Sequence, residues 1–133
     1  MPEYALTISS PKTGKSYNKK IETDIFDGRR LNDNVDGSAI GLAGYQLKIT
    51  GGSDKCGFPM RVDVQGFARR KILTIKSKGV HIKKKGIRKR KSVVGSQISN
   101  STAQVNLSIT KYGDKDLEEV LGIKKEETAE KAA

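Results

Sequence analysis

The chain has 133 residues, enough for one compact domain with or without a tail. It carries 26 basic and 15 acidic residues, a formal net charge of +11, with 35% apolar content. One cysteine and no apolar run of about 18 residues exclude a disulfide scaffold and a helical membrane protein, and the apolar content is too high for a wholly disordered polyelectrolyte.

Most of the chain alternates apolar and polar residues with a period of two, the mark of half-buried strands. The first is expected at Tyr4, Leu6 and Ile8, closed by the turn Pro11-Lys12-Thr13-Gly14 and followed by a weaker one at Tyr17, Lys19 and Ile21. Residues 24–43 are ambiguous: Asp27-Gly28 and Asp36-Gly37 read as turns, while Leu31, Val35 and Ile40 could line a short helix. A clean strand covers 45–50, and Gly51-Gly52-Ser53-Asp54 reads as its turn. Weaker strands follow at Val62 and Val64, at Ile72-Leu73-Thr74-Ile75, at Val80 and Ile82, and from Val93-Val94 to Ile98. Gly79, Gly86 and Gly95 punctuate them, and the longest alternation runs over 103–110. Asp116, with Glu119 three residues on and Gly122 as a stop, predicts a short helix whose Leu117, Val120 and Leu121 form one apolar edge. The fold expected is mainly β, a small barrel or sandwich of six to seven short strands with a short C-terminal helix. Residues 1–122 form one β-rich domain in this reading, and 123–133 form a polar tail with no apolar face.

Charge is distributed unevenly along this pattern. Residues 1–63 hold nine basic and eight acidic groups, and residues 114–133 hold four and seven. Between them, residues 64–113 hold thirteen cations and no acid at all. A half-chain that excludes one sign is an electrostatic design for a polyanion. The candidate contacts are Arg69, Arg70, Lys71, Lys76, Lys78, Lys83, Lys84, Lys85, Arg88, Lys89, Arg90 and Lys91. No acid within this tract offsets their mutual repulsion, whereas a phosphate backbone would. The tract lacks the Trp or Phe that would anchor it in lipid. Helix-turn-helix, zinc-finger and basic-zipper patterns are missing, and aromatics make up only 5%. Backbone and shape recognition remain, which suits folded RNA.

A second feature is the segment 51–60, Gly-Gly-Ser-Asp-Lys-Cys-Gly-Phe-Pro-Met. Gly51, Gly52 and Gly57 allow unusual backbone angles, and Asp54 can cap amides. Lys55 adds charge, so the segment is either a structural turn or a phosphate-cradling loop, although it lacks the P-loop spacing. Catalysis has little support: His81 and Cys56 are single, and the pairs Glu118-Glu119 and Glu126-Glu127 belong to exposed segments. One His and one Cys cannot build a tetrahedral zinc site without carboxylates. A single cysteine and an N-terminus without a basic, apolar leader point to a reducing, cytoplasmic setting.

These residues also carry a resemblance. Ile49-Thr50-Gly51-Gly52-Ser53-Asp54-Lys55-Cys56-Gly57-Phe58-Pro59-Met60 resembles the signature of the small-subunit ribosomal protein six family of archaea and eukaryotes. Arg88-Lys89-Arg90-Lys91-Ser92-Val93-Val94-Gly95 is similar to a second hallmark, and Ser77-Lys78-Gly79 to a third. The likeness runs from Leu6 to Leu121, and the short form is similar to archaeal members. It implies a non-catalytic component of the cytoplasmic small ribosomal subunit, with ribosomal RNA and neighbouring ribosomal proteins as partners. No cofactor, metal, membrane or small-molecule substrate is implied, and the free chain is expected to be a monomer. The resemblance makes Lys83, Lys84, Lys85, Arg88, Lys89, Arg90 and Lys91 the foremost RNA contacts. It adds weight to Gly51, Gly52, Asp54, Lys55, Gly57, Pro59 and Met60 as a shaped element facing RNA or the core. The alternative is a free-standing regulatory module that binds RNA or DNA outside the ribosome.

Overall fold

A computed structural model describes residues 3–117. Strand β1 (Glu3–Ser10) buries Tyr4, Leu6, Ile8 and Ser10 and leaves Ala5, Thr7 and Ser9 half-exposed, as its alternation predicts. Gly14, at φ +69°, closes the turn to β2 (Lys15–Glu22), which pairs antiparallel along the full length of β1. The ambiguous stretch resolves into the three-residue strand β3 (Asn34–Asp36) and a 3-10 helix, Gly37–Ile40, whose first turn the Asp36 carboxylate caps. Strand β4 (Gln46–Asp54) follows. The chain then leaves this sheet, forms β5 (Arg69–Thr74) and β6 (Lys89–Val94), and returns as β7 (Thr102–Lys111).

Among the described residues, seven strands make two sheets. The larger has the order β2-β1-β7-β4-β3, in which β7 runs parallel to β1 and antiparallel to β4. The smaller is the β5–β6 ribbon alone. The core lies on one face of the larger sheet, where Tyr4, Leu6, Ile8, Leu47, Ile49, Val105, Leu107 and Ile109 pack with Phe26, Leu42 and Ile98. Burying one such side chain contributes about 1.5–3 kcal/mol. Val64, Val80, Ile82 and Val93 are buried outside that cluster, on or next to the ribbon and its connections.

Several expectations need correction. The two sheets do not close into a barrel. Gly51-Gly52-Ser53-Asp54 is not a turn: β4 continues through it, with irregular pairing to β7 at Ile49/Gly51 and Ser53/Asp54. Gly52 serves close approach there, because a Cβ on it would lie 2.5 Å from the Gln104 carbonyl oxygen. Val62 and Val64 do not form a strand, and neither do Val80 and Ile82. The latter two are buried because their loop folds back over Pro59 and Arg61. Of the expected C-terminal helix only Asp116 and Leu117 are described; the rest of it and the tail lie outside the described residues.

Candidate nucleic-acid interface

The register of β5 against β6 decides where the cations go. Directly opposed residues are Arg69 and Val94, Arg70 and Val93, Lys71 and Ser92, Ile72 and Lys91, Leu73 and Arg90, and Thr74 and Lys89. Every cation on the ribbon therefore faces an uncharged residue across the ladder. Like charges directly opposite destabilise a sheet, whereas diagonal neighbours stand about 7–8 Å apart and repel less. Side chains alternate between the faces of a strand. Arg69, Lys71 and Leu73 thus share one face with Arg90, Ser92 and Val94, while Arg70, Ile72 and Thr74 share the other with Lys89, Lys91 and Val93.

All twelve cations of the tract are exposed. Lys76, Lys78, Lys83, Lys84, Lys85 and Arg88 lie in the connection from β5 to β6, which turns at Gly86 with φ +85°. His81 and Cys56 are exposed as well. Large aliphatic side chains interrupt the charge: Leu73 is 61% exposed and Ile75 53%.

Arg69 differs from the other eleven. Its Nε and Nη2 donate to Asp54 Oδ2 at 3.0 and 2.6 Å, and its guanidinium lies 4.5 Å from the centre of the Phe58 ring. Asp54 is buried, and its Oδ1 accepts the amides of Cys56 at 3.0 Å and Phe58 at 2.8 Å. Burial alone would raise the Asp54 pKa, but the Arg69 guanidinium and these two amides outweigh it and hold the carboxyl below its ordinary value. One oxygen of Asp54 fastens the 55–58 loop and the other fastens the ribbon. Charge counting placed Arg69 among the RNA contacts; its half-exposed guanidinium also pairs with Asp54, fifteen residues away.

The 51–60 segment spends its backbone donors internally. The amides of Asp54, Lys55, Gly57 and Met60 reach the carbonyls of Phe58, Ser101, Asp54 and Gly52, while those of Cys56 and Phe58 reach Asp54. A phosphate cradle built from these N–H groups has no free donors. Pro59 and Met60 join the two sheets: the Val94 amide donates to Pro59 O and Met60 pairs with Val94.

Arg61 is a residue that sequence reasoning missed. Its side chain is only 12% exposed, with Nη1 donating to Ser77 Oγ at 2.7 Å and to Lys78 O at 2.9 Å, and Nη2 pairing with Asp63. It pins the returning loop to the end of the motif, and the position of Arg61 directly after Pro59-Met60 was its only signal. Among the described residues, no three His, Cys, Asp or Glu side chains gather where a metal could bind. A depression of about 420 Å³ on the outer sheet face is lined by Ala5, Thr7, Asn18, Lys19, Lys20 and Gln104, a set without any acid or histidine.

A family model described as "Ribosomal protein S6e" matches residues 4–122. A protein of Methanococcus maripaludis strain C7, "Small ribosomal subunit protein eS6", is 41% identical over 114 residues, 86% of this chain and 92% of its own. Proteins of the same name from Methanocaldococcus jannaschii and Archaeoglobus fulgidus are 37% and 42% identical, over 98% and 93% of this chain and 99% of each relative.

Proposed function

The chain belongs to the ribosomal protein S6e family, and from that premise we propose that it holds small-subunit ribosomal RNA with its basic ribbon and the connection at the ribbon's tip. Its role is that of a structural component of the small ribosomal subunit in cytoplasmic translation, not of an enzyme. The observation that carries the RNA assignment is the display of eleven exposed cations, from Arg70 to Lys91, with no acidic residue between Val64 and Gly113. Each cation that meets a phosphate releases condensed counterions, so the interaction strengthens as salt falls.

The motif segment has a supporting part in this reading. Asp54, Gly57, Pro59 and Met60 set the pose of the ribbon, and Gly52 lets β4 press against β7. Lys55 is exposed beside them and is available to RNA. Residues 1–122 act as one β-rich unit, the free protein is a monomer, and its neighbours in the particle are other ribosomal proteins.

The test replaces Lys84, Lys85, Arg88 and Arg90 together with Gln and measures binding to small-subunit ribosomal RNA across a salt series. The log–log slope should fall by about 0.7–0.9 for each phosphate that no longer meets a cation. An unchanged slope would show that the tract faces solvent in the complex. Sedimentation of lysate at moderate salt gives a second reading, in which absence from the small-subunit peak defeats the proposal.

A further inference from the structure

A single phosphate backbone laid along a sheet meets only the side chains pointing to that side. A ribbon meant for one backbone would place cations at every second position, as β4 alternates buried Leu47 and Ile49 with Lys48 and Thr50. The basic ribbon does otherwise. Arg70 and Lys71 are consecutive, as are Lys89, Arg90 and Lys91, so the register sends Lys71 and Arg90 to one face and Arg70, Lys89 and Lys91 to the other. All five are exposed, and none has an acidic partner across the ladder. A backbone on either face alone would leave the opposite cations without phosphates.

We infer that the ribbon is held from both sides by two separate RNA backbone segments, and so acts as a strut between them. The inference rests on the RNA-binding reading above and adds the number and placement of the segments. Arg69 stands outside it, because its charge is taken by Asp54. The ribbon has no third strand among the described residues, and its cations stay exposed on both faces, although Arg69, Met60 and Val94 tie its base and Arg61, through Ser77 and Lys78, ties the connection just beyond Thr74.

The test uses two matched double variants of the whole chain, K71Q/R90Q for one face and R70Q/K91Q for the other. A third, K20Q/K111Q, removes two cations from the larger sheet as a control. The probes are two short RNA duplexes, one carrying a donor dye and the other an acceptor. The wild type should bring the duplexes together and give energy transfer, each face variant should abolish it, and the control should retain it. In salt titrations each face variant should lower the slope by about 1.4–1.8, the amount expected for two phosphates. Slopes that fall for both faces without energy transfer would also support two segments, as the two walls of one groove. If one face variant keeps the wild-type slope, the stems all swing to one backbone and the strut is overturned while RNA binding stands. If neither slope changes, the RNA reading falls and takes the strut with it.

Discussion

The five-stranded sheet and the two-stranded ribbon are built by opposite rules. In the sheet, alternation separates buried apolar residues from polar ones in β1, β3, β4 and β7, while the edge strand β2 half-buries Tyr17 and Ile21 against the same core. In the ribbon, both faces carry cations and only Val93 and Val94 at its base are fully buried. A lone two-stranded ribbon is marginal in water. This one depends on tethers from outside: Asp54 to Arg69, Arg61 to Ser77 and Lys78, and Pro59 and Met60 to Val94. Stability is thus concentrated in one region and charge in the other, with the motif segment as their joint.

That division can be broken deliberately. The largest effect should come from the sheet: Leu107→Ala, at a fully buried site, should cost about 2–5 kcal/mol in urea unfolding and leave the salt slope of RNA binding unchanged. If the slope of the still-folded variant moved, the two regions would not be separable. Next comes the joint. Asp54→Ala orphans the amides of Cys56 and Phe58 and should cost about 1–3 kcal/mol. Because the folded pKa of Asp54 lies below its unfolded value, its stabilisation is complete above the unfolded value and is lost as pH falls from there through the lower folded one. Asp54→Asn should therefore flatten the wild type's loss of stability below about pH 4, measured by denaturant melts across pH.

Gly95 tests the same joint sterically, since a Cβ there would lie 2.0 Å from the Gly66 carbonyl oxygen. Gly95→Ala should cost about 1–3 kcal/mol by forcing backbone to shift, read from its thermal melt. Smaller still is the contrast within the ribbon. Lys89→Gln should lower the salt slope by about 0.7–0.9, and Arg69→Gln should weaken RNA binding with the slope unchanged. A slope that fell equally for both would return Arg69 to the phosphate contacts. Smallest of all, Leu73→Ser at its exposed position should change unfolding free energy by less than about 0.5 kcal/mol.

The sheet was legible in the sequence because Leu47/Ile49 and Val105/Leu107/Ile109 are local patterns that burial on one face imposes. The length of β4 was not, because Gly51-Gly52 has the composition of a turn. Its physical reason, the carbonyl of Gln104, is supplied by a strand about fifty residues later. Val80 and Ile82 were correctly apolar but wrongly a strand, since burial by a folded-back loop looks the same in sequence as burial in a ladder. The basic tract was readable as a total, whereas its geometry depended on a register that composition does not carry. Arg69 and Arg61 were opaque for a related reason: their partners lie across the fold, and a sum of charges has no distances.

The place of β7 in the larger sheet also bears on how the chain is made. The N-terminal hairpin β1–β2 and the β3–β4 pair do not touch through their own strands; β7 lies between them and pairs with both. Until residues 102–111 leave the ribosome that synthesises them, the two halves have no common sheet and the core has no centre. Such non-local pairing belongs to slowly folding topologies. The basic ribbon, encoded earlier, is therefore complete in sequence before its foundation closes, and its exposed cations emerge while the core is still open.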